Sequence, residues 1–234
     1  MELAHIINQL QLLGTEQNRK VYKKHGAGDN LYGVSFANLL KLKKQVVSPE
    51  GRKGVHHLLG LRLWETGNTD ARTLACMIFE SDRFDRETLE RMVAEVDYHV
   101  VADKFAESVS YSPFYKQLSE EWMDRGEEFI KRCGFMVIAM RLKNKLPVET
   151  DLEKIVNKIE SEIDKAPNRA REGMNNTLIM IGIQSQVLCE RAMESAKRIG
   201  EVEVDHGETA CKTYDAVHEI RRIAKRKKWY QSLS

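Results

Sequence analysis

The residues best equipped for chemistry lie together near the middle of the chain. The stretch Glu95-Val96-Asp97-Tyr98-His99-Val100-Val101-Ala102-Asp103-Lys104-Phe105-Ala106 combines acids with aromatic rings. Glu121-Trp122 and Phe129-Ile130-Lys131-Arg132 follow downstream. On a helix His99 and Asp103 are four residues apart and share a face, with Asp97 on another. Lys131 and Arg132 begin a helix whose next residues, Cys133 to Ala139, are apolar, which predicts the pair at the rim of a packed element. A carboxylate beside a ring, with a fixed cation nearby, suits a positively charged or polyanionic partner. The bland alternative for Asp103 is a solvated face or an ion pair with Lys104 or Lys131. Trp122 at helical spacing is more often core than a stacking platform.

The elements that must position these groups read as helices. Leu3, Ile6, Ile7 and Leu10 have helical spacing up to a break at Gly14-Thr15, and a short basic helix follows. Ser35 is an N-cap for a helix with Leu39, Leu40 and Leu42 inside and Lys41, Lys43 and Lys44 outside. Ser48-Pro49-Glu50 reads as another start, with proline at the first helical position. Thr69-Asp70, Asp85 and Ser112-Pro113 open further helices, Thr150-x-x-Glu153 reads as a capping box, and Thr213 caps the last helix. Leu152, Ile155, Val156, Ile159 and Ile163 keep one stripe. Gly200 is expected as a C-cap, and 201–212 as a polar loop turning at Gly207.

No strand pattern emerges. Helix pairs recur roughly every 30–45 residues, the spacing of a HEAT-like or armadillo-like stack. The expected architecture is therefore an all-α HEAT-like helical repeat solenoid with a concave basic face, with an irregular helical bundle as the competitor. It is read as a single domain over 1–234, with N-terminal helices in 1–30, core repeats in 31–200 and a C-terminal loop and helix in 201–234.

Composition limits the function classes. The 234 residues are 42% hydrophobic and 31% charged, with only four prolines, which fits a folded helical chain large enough to bury a core. The longest apolar run, Leu178 to Ile183, is far too short for a membrane span. The start Met1-Glu2-Leu3-Ala4-His5 lacks a signal-peptide pattern, so a cytoplasmic protein with no membrane association is expected. The four cysteines form no Cys-x-x-Cys pair, and His206 with Cys211 lacks a second pair, so neither a metal nor any other cofactor is expected. No phosphate-binding glycine loop, nucleophile elbow or His-Glu-x-x-His occurs. A net charge of +2 is nearly neutral, so any nucleic-acid reading rests on where the cations lie.

Basic clusters sit at helix ends: Lys41-Leu42-Lys43-Lys44, Lys131-Arg132, Arg141-Leu142-Lys143-Asn144-Lys145, Arg169-Ala170-Arg171, and Arg221-Arg222. In a stack of helix pairs such positions can line one edge and meet successive phosphates; singly, each reads as a solvated surface with matching acids. The amides Asn175 and Asn176, beside the most apolar helix, need partners within the scaffold or from a ligand.

Several of these residues come in an order that resembles a known family. Gly33-Val34 precedes a basic helix, and Leu63-Trp64-Glu65 precedes Asp70-Ala71-Arg72-Thr73-Leu74-Ala75. Asp103-Lys104-Phe105-Ala106, Trp122, Phe129-Ile130-Lys131-Arg132 and Arg171-Glu172-Gly173-Met174-Asn175-Asn176 follow. Over about 31–185 the chain is similar to the AlkD-type DNA alkylation repair proteins, which are HEAT-like repeat DNA glycosylases. The resemblance implies double-stranded DNA as partner and excision of N3- or N7-alkylated purines without metal and without base flipping. It implies Asp103 as the catalytic carboxylate and Arg132 as a backbone-binding arginine, with Asp97 as a contender for the carboxylate. Lys131, Arg141, Lys143, Arg169, Arg171 and Asn175 complete the expected DNA-binding set, on a protein expected to be monomeric. The family's tryptophans beside the lesion are replaced here by His99 and Asn176, which become the lesion-facing positions. A non-catalytic DNA-binding HEAT-like protein, or a protein-binding helical scaffold, are the alternatives.

Overall fold

A computed structural model of the protein describes residues 2–47, 55–227 and 229. Among these residues the regular structure is helical. In chain order the helices are α1 (Leu3–Leu13), α2 (Glu16–Lys24), α3 (Phe36–Val46), α4 (Val55–Trp64), α5 (Thr69–Ile78), α6 (Arg86–Ala94) and α7 (His99–Val109). Then come α8 (Tyr115–Met123), α9 (Glu128–Lys143), α10 (Leu152–Glu162), α11 (Asn168–Gly182), α12 (Gln186–Ile199) and α13 (Ala216–Ala224). The one β-type pairing among the described residues is an isolated antiparallel bridge between Gly14 and Val34.

Local chemistry sets most of the boundaries. Thr15, Ser35, Asp85 and Ser185 each accept a hydrogen bond from the backbone N–H three residues on, satisfying a donor that the first helical turn leaves open. Four starts differ from the sequence expectation: α8 begins at Tyr115, after Phe114, rather than at Ser112-Pro113, and three other helices take a different cap. Asn68, rather than Thr69, caps α5. Asp151, rather than Thr150, caps α10, taking the N–H groups of Glu153 and Lys154. Asp215, not Thr213, caps α13. In each of these three a side chain with a carbonyl or carboxylate oxygen supplies the cap in place of a nearby threonine. The start expected at Ser48-Pro49-Glu50 lies outside the described residues.

The chain divides into two compact units, one of Met1–Pro113 with His206–Ala210, the other of Phe114–Asp205 with Cys211–Ser234. In the first, α5 packs against α4 and lies between α3 and α7. Its core is built on Leu10, Leu63, Trp64, Leu74 and Phe105, all fully buried or nearly so. In the second, α9 and α11 pack side by side, each backed by its pair partner, α8 and α10, while α12 and α13 close on α11. Phe135, Ile138, Val156, Ile159, Leu178 and Ile220 form the centre of that core. Helices paired in sequence, with alternate helices adjacent in space, are the arrangement a helical repeat requires.

A clasp in the first unit accounts for the Gly33-Val34 and Asp70 parts of the sequence pattern. The Asp70 carboxylate is 2% exposed and accepts the backbone N–H groups of Tyr32, Gly33 and Val34 at 2.6, 2.9 and 2.9 Å. Gly33 holds φ +77°, and a Cβ there would meet the Thr15 carbonyl oxygen at 2.6 Å, so the turn needs glycine. Burial pushes the Asp70 carboxyl up against the pull of its three N–H donors.

Candidate nucleic-acid interface

In the first unit, α7 carries the residues singled out for chemistry. Its entry is pinned by a network around Trp64, whose indole N–H donates to Glu95 Oε2 at 2.7 Å. Arg72 donates to the Glu95 backbone oxygen at 2.8 Å and to Glu95 Oε2 at 2.9 Å, and its guanidinium lies 5.0 Å from the Trp64 ring centre. The Trp64 ring meets Phe105 of α7 at 5.2 Å. This is what the Leu63-Trp64-Glu65 and Asp70-Ala71-Arg72 motifs do: they set the register of α7.

On that helix His99 is the first residue and Asp103 stands one turn on, both half-buried. The His99 ring packs edge-on to Tyr98 at 4.5 Å and lies 6.3 Å from the His25 ring. Lys104 pairs with Glu107 at 2.6 Å. Asp97 is exposed and lies ahead of α7 rather than on another face of it.

The cations expected on the DNA-binding face of the second unit are mostly turned inward. Arg132 is 1% exposed and donates through Nη1 to the Arg169 backbone oxygen at 2.8 Å and to Glu172 at 2.9 Å. Lys131 is buried, donating to the Met123 backbone oxygen at 2.5 Å and to Glu162 at 2.9 Å. Arg141 donates to the Pro147 backbone oxygen and lies over the Tyr115 ring, 3.4 Å from its centre. Arg169 is buried beside Glu172 at 3.3 Å, and its backbone N–H donates to Glu128 at 2.6 Å. Arg171, half-buried, donates to the backbone oxygens of Ala166 and Glu203. Asn175 is buried, its amide donating to the Tyr214 backbone oxygen at 2.8 Å. A buried cation is tolerable only when paired and hydrogen-bonded, and these have that provision. Burial pushes the Glu162 carboxyl up, but the ammonium groups of Lys158 and Lys131 outweigh it and hold the carboxyl below its usual value.

Lys143 is exposed, and the structure brings it together with Asn176. Both line an open cavity of about 320 Å³ whose floor includes Met136, Met140 and Met180. Tyr214 and Arg222 lie on the same cavity; Arg222 belongs to a basic cluster visible in the sequence, while Tyr214 was not assigned to a site. An exposed tyrosine in the polar stretch just before a capped helix is the signal that was there to find. All three tryptophans serve cores: Trp64 and Trp122 are buried, and Trp229 packs against the core of the second unit. Among the described residues no group of three or more His, Cys, Asp or Glu side chains is placed to hold a metal ion, and no helix is long and apolar enough to cross a membrane.

Comparison with known proteins agrees with this architecture. An uncharacterized protein of Listeria monocytogenes is 27% identical over 224 residues, covering 94% of this chain and 96% of the relative. Another, of Listeria innocua, is 26% identical over 222 residues, covering 93% and 95%. A solved structure from a family related to the HEAT-like repeat DNA glycosylases, with affinity for branched DNA structures, superposes with a TM-score of 0.85. It is 23% identical, and the match covers 98% of this chain and 97% of that one. The all-α fold is therefore that of the HEAT-like repeat DNA glycosylase-related proteins. The model of the DNA alkylation repair enzyme family matches residues 6–220, nearly the whole chain, and the protein belongs to that family.

Proposed function

We propose that this protein binds DNA by recognising its structure, with branched DNA as the favoured form, and that binding rather than base release is its main activity. The observation that carries this reading is the fate of the aromatic groups. Holding a cationic alkylpurine without flipping it calls for electron-rich rings beside the lesion. Here every tryptophan is committed to a core, and the expected lesion-facing positions hold His99 and Asn176. The affinity of the structural neighbour's family for branched DNA supports the same reading.

In this reading Lys143 and Arg222 supply phosphate contacts, with Asn176 beside them as a hydrogen-bonding group. Lys131, Arg132, Arg141, Arg169, Arg171 and Asn175 hold α9 and α11 in register and so position that surface. Phosphate contacts fix register and orientation and make affinity fall with salt.

A second reading, excision of N3- or N7-alkylated purines, is favoured by Asp103, which shares a face of α7 with His99. As the bond from the sugar C1′ to the purine nitrogen breaks, the base leaves neutral and positive charge develops on the sugar. A carboxylate stabilises that charge until water adds at C1′ and releases a proton.

Two measurements on the full chain separate the readings. Affinity for a four-way junction and for a linear duplex of equal length is compared across about 50–200 mM salt. Base release is followed on DNA carrying 7-methylguanine or 3-methyladenine. We expect the junction to be preferred and no base to be released. Release that falls about 100-fold or more in Asp103→Asn, with binding kept, would establish the second reading and place the catalytic charge on Asp103.

A further inference from the structure

The first unit contains a second cavity, of about 400 Å³, built from α3, α5, α7 and the turns that follow α5 and α7. Three of the nine large apolar side chains exposed among the described residues border it: Phe36 at 44%, Leu40 at 40% and Tyr111 at 51%. Exposed apolar groups scattered singly need no explanation, but a cluster around one concavity does. Lys43 and Lys104 stand on the same rim with a single acid, Glu107, which is already paired with Lys104 at 2.6 Å. Lys104 Nζ also lies 5.1 Å from the Phe36 ring centre, so a cation and a π face are presented together. Ser81 and Ser108 contribute hydroxyls 3.3 Å apart, which can donate to or accept from a polar edge.

Resting on the DNA-binding reading above, we propose that this cavity takes an unpaired nucleobase from the single-stranded arm of a branched DNA. The base stacks on Tyr111 and Phe36, the serine hydroxyls meet its edge, and Lys43 holds the adjoining phosphate. The chemistry fits this occupant in three respects. The rings offer π faces that accept any base, so recognition needs no sequence. The lysines outnumber the acids, which suits an anionic backbone and disfavours a basic peptide. The cavity is open and of the size usual for small-ligand sites, while a base inside a duplex is stacked and out of reach. Structure selectivity follows, because a linear duplex has no base to offer.

The test uses a forked duplex with 2-aminopurine in its single-stranded arm, and a linear duplex carrying the same base in a paired position. With the parent protein, we expect the fork signal to change on binding as the base stacks, and the linear signal to stay nearly constant. Tyr111→Ala should weaken fork binding roughly 10-fold and abolish the fluorescence change, with linear binding unaltered. Tyr111→Phe should restore both, which separates stacking from any effect on folding. Lys43→Ala should lower the salt slope of fork binding by about one. If the parent prefers the fork but Tyr111→Ala binds it equally well, with the same fluorescence change, the cavity assignment is overturned and the DNA-binding reading stands. If the parent binds neither DNA, both fall.

Discussion

Arg132 decides between two accounts of the basic residues in the second unit, and its replacement by alanine can be worked through from the contacts. The guanidinium is 1% exposed and joined to the Arg169 backbone oxygen at 2.8 Å and to Glu172 at 2.9 Å. Removing it takes a donor from the Arg169 oxygen and a cation from Glu172, which keeps Arg169 at 3.3 Å. Breaking a buried pair by deleting one partner costs about 3–5 kcal/mol, and the remaining partner places this case near 3. For a chain of this size each kcal/mol moves the melting temperature by roughly 2–4 °C, so Arg132→Ala should melt about 6–12 °C below the parent. Circular dichroism melts give that number directly. An arginine that contacts phosphate from an open surface behaves differently: its loss changes stability by about 0.5 kcal/mol or less and lowers the salt slope of DNA binding by about one. A Tm within about 2 °C of the parent, together with a reduced salt slope, would refute the scaffold account of Arg132.

Other outcomes follow from the same physics. Asp70→Ala strands three backbone N–H groups, each costing about 1–3 kcal/mol if left unmet, so the first unit should lose about 3 kcal/mol or more in urea unfolding. Asp70→Asn, which turns an NH₂ toward at least one of those donors, should fall between Ala and the parent; an Asn variant as stable as the parent would contradict the clasp. Glu160 is held at a pKa of about 2, chiefly by its hydrogen bond from Arg198, with Ser195 and Arg191 adding to it against burial. Its folded value lies below the ordinary one of 4.5, so its contribution is complete above about pH 4.5 and is lost as pH falls through about 2. Glu160→Gln should therefore unfold at lower urea than the parent at pH 7, and the gap should close toward pH 2.

What the sequence made legible was local. The caps at Ser35 and Asp85 depend on residues three apart, and the stripe of α10 depends on residues three and four apart. Those distances are short enough to read along a line of letters. The starts of α10 and α13 were placed on threonines because the choice between two capping oxygens within two residues is settled by backbone geometry. The burial of the cations was beyond reach for a different reason. Lys131 finds Glu162, and Arg132 finds Glu172, across separations of 31 and 40 residues. An inward-facing pair and an outward-facing basic cluster have the same composition until the helices are packed. Asp70 is the mixed case: its place in the motif was visible, while the three N–H groups it clasps were not.

The return of His206–Ala210 to the first unit has a consequence for the order in which the chain is made. His206 is buried, and Gly207, at φ +75°, lies so close to the Lys24 carbonyl that any Cβ would collide with it. Helices α1 to α7 leave the ribosome long before that segment does, so the first unit waits for a piece translated only after the whole of 114–205. During synthesis the backbone at Lys24 stays uncovered by its eventual neighbour. An N-terminal fragment ending at Pro113 carries the same deficit permanently. Supplying 206–210 on a separate peptide would be the way to measure how much of the first unit's order depends on it.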